Sequence, residues 1–128
     1  MLYDTCVDAM SLNVHVWVRE GSELKIVGKD RGHDLAGPES WRASVWSAEI
    51  QPHGRLQLLS LLATEDLYAG VEQLSQLESE VRIVAANASA LSISAGTTEE
   101  RIRERCDNIL RAIERANQLP GEAGVVIW

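Results

Sequence analysis

Between Thr97 and Gln118 the chain obeys one spacing rule: Ile102, Cys106, Ile109, Ile113 and Ala116 recur at intervals of four, three, four and three. Residues spaced in this way share one face of a helix, and Leu110 widens the stripe. Thr97 and Glu100 form a potential capping box at its start, where a hydroxyl and a carboxylate can satisfy free N–H groups. Glu99 with Arg103, and Asp107 with Arg111, stand four apart with the acid first, the order that favours helical ion pairs. "LPGEAG" stops this helix, and "VVIW" reads as a short strand.

The first half has a different period. In "LNVHVWV", Val14, Val16 and Val18 alternate with Asn13, His15 and Trp17, as in a half-buried strand. "ELKIVGK" repeats the alternation, so residues 12 to 29 predict a hairpin closed by a short Gly-Ser loop. "WRASVWSAEI" reads as a third strand, ended by the Pro and Gly of "QPHG", and "RLQLLSLLA" as a fourth, completing an antiparallel meander. Thr64, Glu65 and Asp66 signal a helix start, and Leu67, Val71, Leu74 and Leu77 carry that helix over about residues 65 to 80. Residues 81 to 95 are rich in β-branched and small side chains and predict one bent strand, or two meeting near Asn87. The resulting order, four strands, helix, strand, helix, strand, is that of a single α+β domain: a mainly antiparallel sheet with two helices on one face.

Charge narrows the function. With 12 basic and 19 acidic residues the formal net charge is -7, which argues against broad attraction to nucleic acid or to anionic membranes and favours a basic protein partner. The basic residues of the last helix, Arg101, Arg103, Arg105, Arg111 and Arg115, alternate with acids and read as a solvated, salt-bridged face. Neither a secretory signal nor an apolar run of membrane-spanning length is evident in the sequence, so a cytoplasmic location is expected. Arginine outnumbers lysine, a bias suggesting a GC-rich bacterial source.

Few residues carry chemical signatures. The loop "KDRGHDLAGPES" concentrates Asp30, His33 and Asp34, and an Asp beside a His can orient an imidazole as base or metal ligand. The same letters also make turns, because Gly32 and Gly37 permit unusual backbone angles and Asp side chains bond their own main chain. Cys6 and Cys106 lie outside any CxxC spacing and read as reduced thiols, with Cys106 on the apolar stripe. His15 lies mid-strand and His53 in a turn. Phosphate loops of the GxGxxG or GxxxxGK[ST] type and GxSxG elbows do not occur. No cofactor, metal or catalytic residue is expected from these patterns.

The tryptophans supply candidate anchors. Trp17 has the opposite parity to Val14, Val16 and Val18, so it points away from the face that the valines bury; Trp41 and Trp46 likewise differ in parity on a regular strand. Trp17 and Trp41, with Glu39, Glu49, Glu65 and Asp66, form the candidate partner-binding set.

Leu24 to Gly32 (L-x-I-x-G-x-D-x-G), then Trp41 to Val45 and "GRLQLLSLL", resemble a pattern in small bacterial α+β proteins of the immunity-protein type. The resemblance covers about half the chain, lacks that pattern's paired aromatics, and implies a compact domain but no activity. The expected function is therefore a non-enzymatic acidic binding protein, most concretely an immunity-type inhibitor of a basic partner such as a toxin nuclease. Two alternatives stand beside it: a small enzyme or metal- or ligand-binding domain using Asp30, His33 and Asp34, and a homodimeric accessory subunit.

Overall fold

The computed structural model describes residues 11–27 and 35–128. Its centre is a five-stranded antiparallel sheet. Strand β1 (Ser11–Glu20) pairs with β2 (Glu23–Val27) through the Gly21-Ser22 turn, as the alternation predicts. Strand β3 (Leu35–Pro38) pairs with the start of β1 on the same side as β2. A two-stranded ribbon, β4 (Glu49–Ile50) and β5 (Gly54–Arg55), stands apart. Strand β6 (Leu67–Ala69) forms one edge of the main sheet and β7 (Ala123–Ile127) lies between β6 and β1, giving the order β2-β1-β7-β6.

Helix α1 (Leu74–Ala86), helix α2 (Ala88–Ala95) and helix α3 (Glu99–Gln118) complete the α+β fold. The stripe read in the sequence is the buried side of α3: Ile102, Cys106, Ile109, Ile113 and Ala116 all lie in the core, and α3 packs on β1, β3 and β7. Its cap is one residue later than expected, since Thr98 Oγ1, not Thr97, accepts the Arg101 N–H at 3.2 Å. Glu99 and Arg103 pair at 2.9 Å, while Arg111 donates to the side chain of Asn108. Asn108, buried on the same helix, donates to the Leu35 carbonyl at 2.9 Å and ties β3 to α3.

Four expectations are corrected. The expected third strand is a π-helical turn, Arg42–Trp46, and the fourth is a 3-10 turn, Leu59–Ala63. Five-residue spacing in the wide π turn lets Trp41 and Trp46 meet edge to face, with centroids 6.1 Å apart, and both are buried. A flat strand would have sent them to opposite sides. Helix 65–80 begins instead at Leu74, because Leu67–Ala69 is claimed by the edge of the sheet. Residues 81 to 95 are helical despite their β-branched content. Leu74, Leu77, Val81, Val84, Ala88 and Leu91 are all buried at alternating spacings of three and four, so core packing overrides local propensity. The chain does break at Asn87, whose side chain donates to the Ile83 carbonyl at 2.8 Å.

Buried Glu80 joins the two halves. Its carboxylate accepts the N–H groups of Leu58 and Leu59, at 2.9 to 3.1 Å, and the side-chain amide of Gln76 at 3.0 Å. The 3-10 turn after Leu58 has no cap from its own sequence, so α1 supplies one from across the core.

Candidate functional site

Among the described residues, the exposed aromatic side chains Tyr68 and Trp128 meet at the face of the sheet away from the core cluster. Register places His15, Val126 and Tyr68 in one row across β1, β7 and β6, with Trp17 opposite Gly124 in the next. Trp128 follows β7 and lies between His15 and Tyr68: its ring centroid is 6.0 Å from that of His15 and 6.3 Å from that of Tyr68, both edge to face. Its indole N–H donates to His15 Nδ1 at 3.0 Å. His15 therefore presents an acceptor at Nδ1 and holds the Trp128 ring in place. Tyr68 and Trp128 remain 47% and 36% exposed.

Trp17 does lie on this face, as its parity demands, but it is only 3% exposed and so is not an outward anchor. It packs flat on the backbone of Gly124, where an added Cβ would come within 2.4 Å of the indole ring and 2.1 Å of the Ala69 carbonyl oxygen. The Arg19 guanidinium lies over its ring, 5.9 Å from the centroid. The Trp17 indole N–H is buried and meets no acceptor among the described residues. Trp41 is also 3% exposed and belongs to the core, where Gly37, at a φ of 96°, leaves room for its ring. Both proposed tryptophan anchors are thus structural, and the exposed aromatic pair is Tyr68 with Trp128.

Three of the four candidate acids are brought together, by one arginine. Arg42 donates to Glu39 Oε1 at 2.7 Å, Asp66 Oδ1 at 2.8 Å, the Glu65 carbonyl at 2.9 Å and the Leu62 carbonyl at 3.1 Å. Burial alone pulls the Arg42 pKa down, but hydrogen bonds and charge from Glu39 and Asp66 outweigh it and raise the value. This clamp fixes the π turn to the approach of β6 and neutralises two of the acids. The Glu65 carboxylate remains exposed and ion-paired to nothing among the described residues, as does Glu72 just beyond β6. Glu49 lies apart, exposed on β4.

Ladder geometry gives the edge of the sheet its chemistry. Asn13 and Trp128 exchange two main-chain bonds of 2.9 Å, and bonded pairs alternate along an antiparallel ladder. Val126 and Gly124 therefore bond toward β1, and Ile127 and Val125 toward β6. Leu67 and Ala69 face Ile127 and Val125, so Tyr68, between them, directs its own N–H and C=O away from the sheet.

Other groups offer less. Asp30, His33 and Asp34 lie outside the described residues, as does Cys6; among the described residues no three His, Cys, Asp or Glu side chains gather to hold a metal. Burial, with the Asp107 charge adding to it, pushes the Cys106 thiol up to about 12, so it stays protonated and unreactive at neutral pH. His53 is exposed in a turn closed by its N–H to the Ile50 carbonyl. A groove of about 330 Å³ between α1 and α3 is lined by side chains of both signs, Glu78, Arg82, Asp107, Arg111 and Glu114 among them. A second, of about 190 Å³, lies between β3 and Arg101 and Arg105 of α3. No helix among the described residues is long and apolar enough to cross a membrane. Nothing among protein families, curated proteins or solved structures matches the chain.

Proposed function

We propose that this chain is a non-enzymatic acidic binding protein of the bacterial cytoplasm, in its most concrete form an immunity-type inhibitor that neutralises a basic protein such as a toxin nuclease. The observation that carries the reading is the exposed Tyr68 and Trp128 pair, with Glu65 and Glu72 on either side of β6 exposed and ion-paired to nothing among the described residues. Aromatic side chains held by their neighbours lose little entropy on binding and dominate protein interfaces, whereas acids around them steer a cationic partner and exclude the wrong ones. The net charge of -7 sets the sign of that partner. Inhibition would be by occlusion: the aromatic pair buries itself in the partner while the acids cover its cationic working surface.

Capture with the tagged protein from native host lysate, at low and at high salt, tests the reading. One stoichiometric basic protein, released by salt and losing its own activity when the chain is added back, is the expected result. Retention of no basic protein, or a captured enzyme whose activity is unaffected, would refute it.

A further inference from the structure

The acidic-binder reading says what kind of partner is taken; the sheet edge says how. We propose that β6 accepts an extended segment of the partner as an added strand, apolar at its centre and cationic at its ends. This rests on the preceding reading and names its docking surface. Tyr68 supplies the main-chain contacts, since its N–H and C=O point away from β7, and its side chain, with Trp128, forms the apolar floor beside the new strand. A strand laid along β6 would pass Glu65 before the edge begins and, beyond Gly70, the 3-10 turn Val71–Gln73 that carries Glu72. Both glutamates are exposed, and from Leu56 to Val81 the sequence contains no lysine or arginine. Cations at the two ends of the incoming segment would therefore meet carboxylates that are ion-paired to nothing among the described residues. Val71, 54% exposed, extends the apolar surface toward Glu72.

A second copy of this chain fits the same edge poorly. Antiparallel self-pairing centred on Tyr68 sets residue 65 of one copy opposite residue 71 of the other, so at each end Glu65 of one copy lies one position along from Glu72 of the other. Like charges gathered in this way at both ends of the pair repel one another. Charge complementarity selects a basic segment.

The probe is the synthetic peptide Lys-Lys-Val-Thr-Val-Lys-Lys, titrated into isotope-labelled protein and followed by amide and indole resonances. The expected result is a set of shifts confined to β6, its flanks and the Trp128 indole. N-methylation of the central peptide nitrogen removes one ladder bond and should weaken binding roughly three- to tenfold. The Tyr68→Thr variant, first shown to melt like wild type, should lose the floor and bind more weakly still, and a peptide with Glu in place of every Lys should not bind. Shifts centred elsewhere, or equal affinity after N-methylation, would overturn the edge proposal while leaving an acidic binder intact. A peptide that perturbs nothing at millimolar concentration overturns the edge proposal, and the capture experiment then decides the broader reading separately. A concentration-dependent dimer that disappears in Tyr68→Thr would assign the edge to a second copy and overturn the proposal in that direction.

Discussion

Glu80→Ala should destabilise the protein severely although Glu80 touches no proposed partner surface. Truncation leaves the Leu58 and Leu59 N–H groups without an acceptor inside the core, where each unpaired donor costs about 1–3 kcal/mol. The two together amount to about 4 kcal/mol, a large part of the stability of a domain this size. The Gln76 bond adds little, because that amide also donates to Gln57 at 3.0 Å near the surface. Glu80→Gln keeps one oxygen that can accept both backbone donors but gives up the charge, and should cost only about 1–2 kcal/mol. Urea unfolding followed by tryptophan emission measures both. With a slope of about 2 kcal/mol per molar, the alanine variant should shift the midpoint by about 2 M and the glutamine variant by about 0.5–1 M. An alanine variant within about 1 kcal/mol of wild type, or two variants indistinguishable from each other, would refute the claim that this carboxylate caps the 3-10 turn.

Further outcomes follow from single contacts. Gly124→Ala places a Cβ 2.1 Å from the Ala69 oxygen and 2.4 Å from the Trp17 ring, and should cost about 3 kcal/mol through displaced backbone or indole; a thermal melt close to wild type would contradict the packing. Arg42→Met removes bonds to two carboxylates and two carbonyls. Discounted for solvent around Asp66, that should cost about 1–2 kcal/mol while preserving or tightening affinity for a cationic partner; weaker binding at unchanged stability would put Arg42 itself in the interface. The buried Cys106 thiol is raised in the folded state from about 9 to about 12. Below the lower value both states keep the proton, whereas above it the unfolded chain releases the proton first, so stability falls by about 1.4 kcal/mol per pH unit until the folded thiol ionises. Cys106→Ala should lose that part of the alkaline decline, measured by urea midpoints near neutral pH and in mild alkali; identical declines would refute it.

The parts of the fold legible in sequence are those whose local pattern and tertiary environment agree. The hairpin of β1 and β2 and the stripe of α3 both repeat their period over enough residues to exclude the alternative, and both stand where their spacing puts them. Trp17 shows the limit of such reasoning: parity places it on the far face, but parity says nothing about whether that face is covered. Leu67, Tyr68 and Ala69 show another. The apolar spacing around them suits a helix, and what makes them a strand is the open side of β7, contributed from almost 60 residues later in the chain. The candidate aromatic pair was illegible for the same reason, since Tyr68 and Trp128 meet only when β6 and β7 pair.

By itself the sequence determined the α+β class, the hairpin, the amphipathic final helix and the acidic sign of the surface, because periodicity and charge are properties of the chain before it folds. Tertiary structure alone decided that residues 81 to 95 are helical, that Trp41 and Trp46 enter the core together through a π turn, and that Glu80 caps a distant turn. It also decided which aromatics face solvent. These outcomes depend on partners far away in sequence: a buried stripe, an unpaired N–H or an open sheet edge acquires its meaning only from what is folded against it.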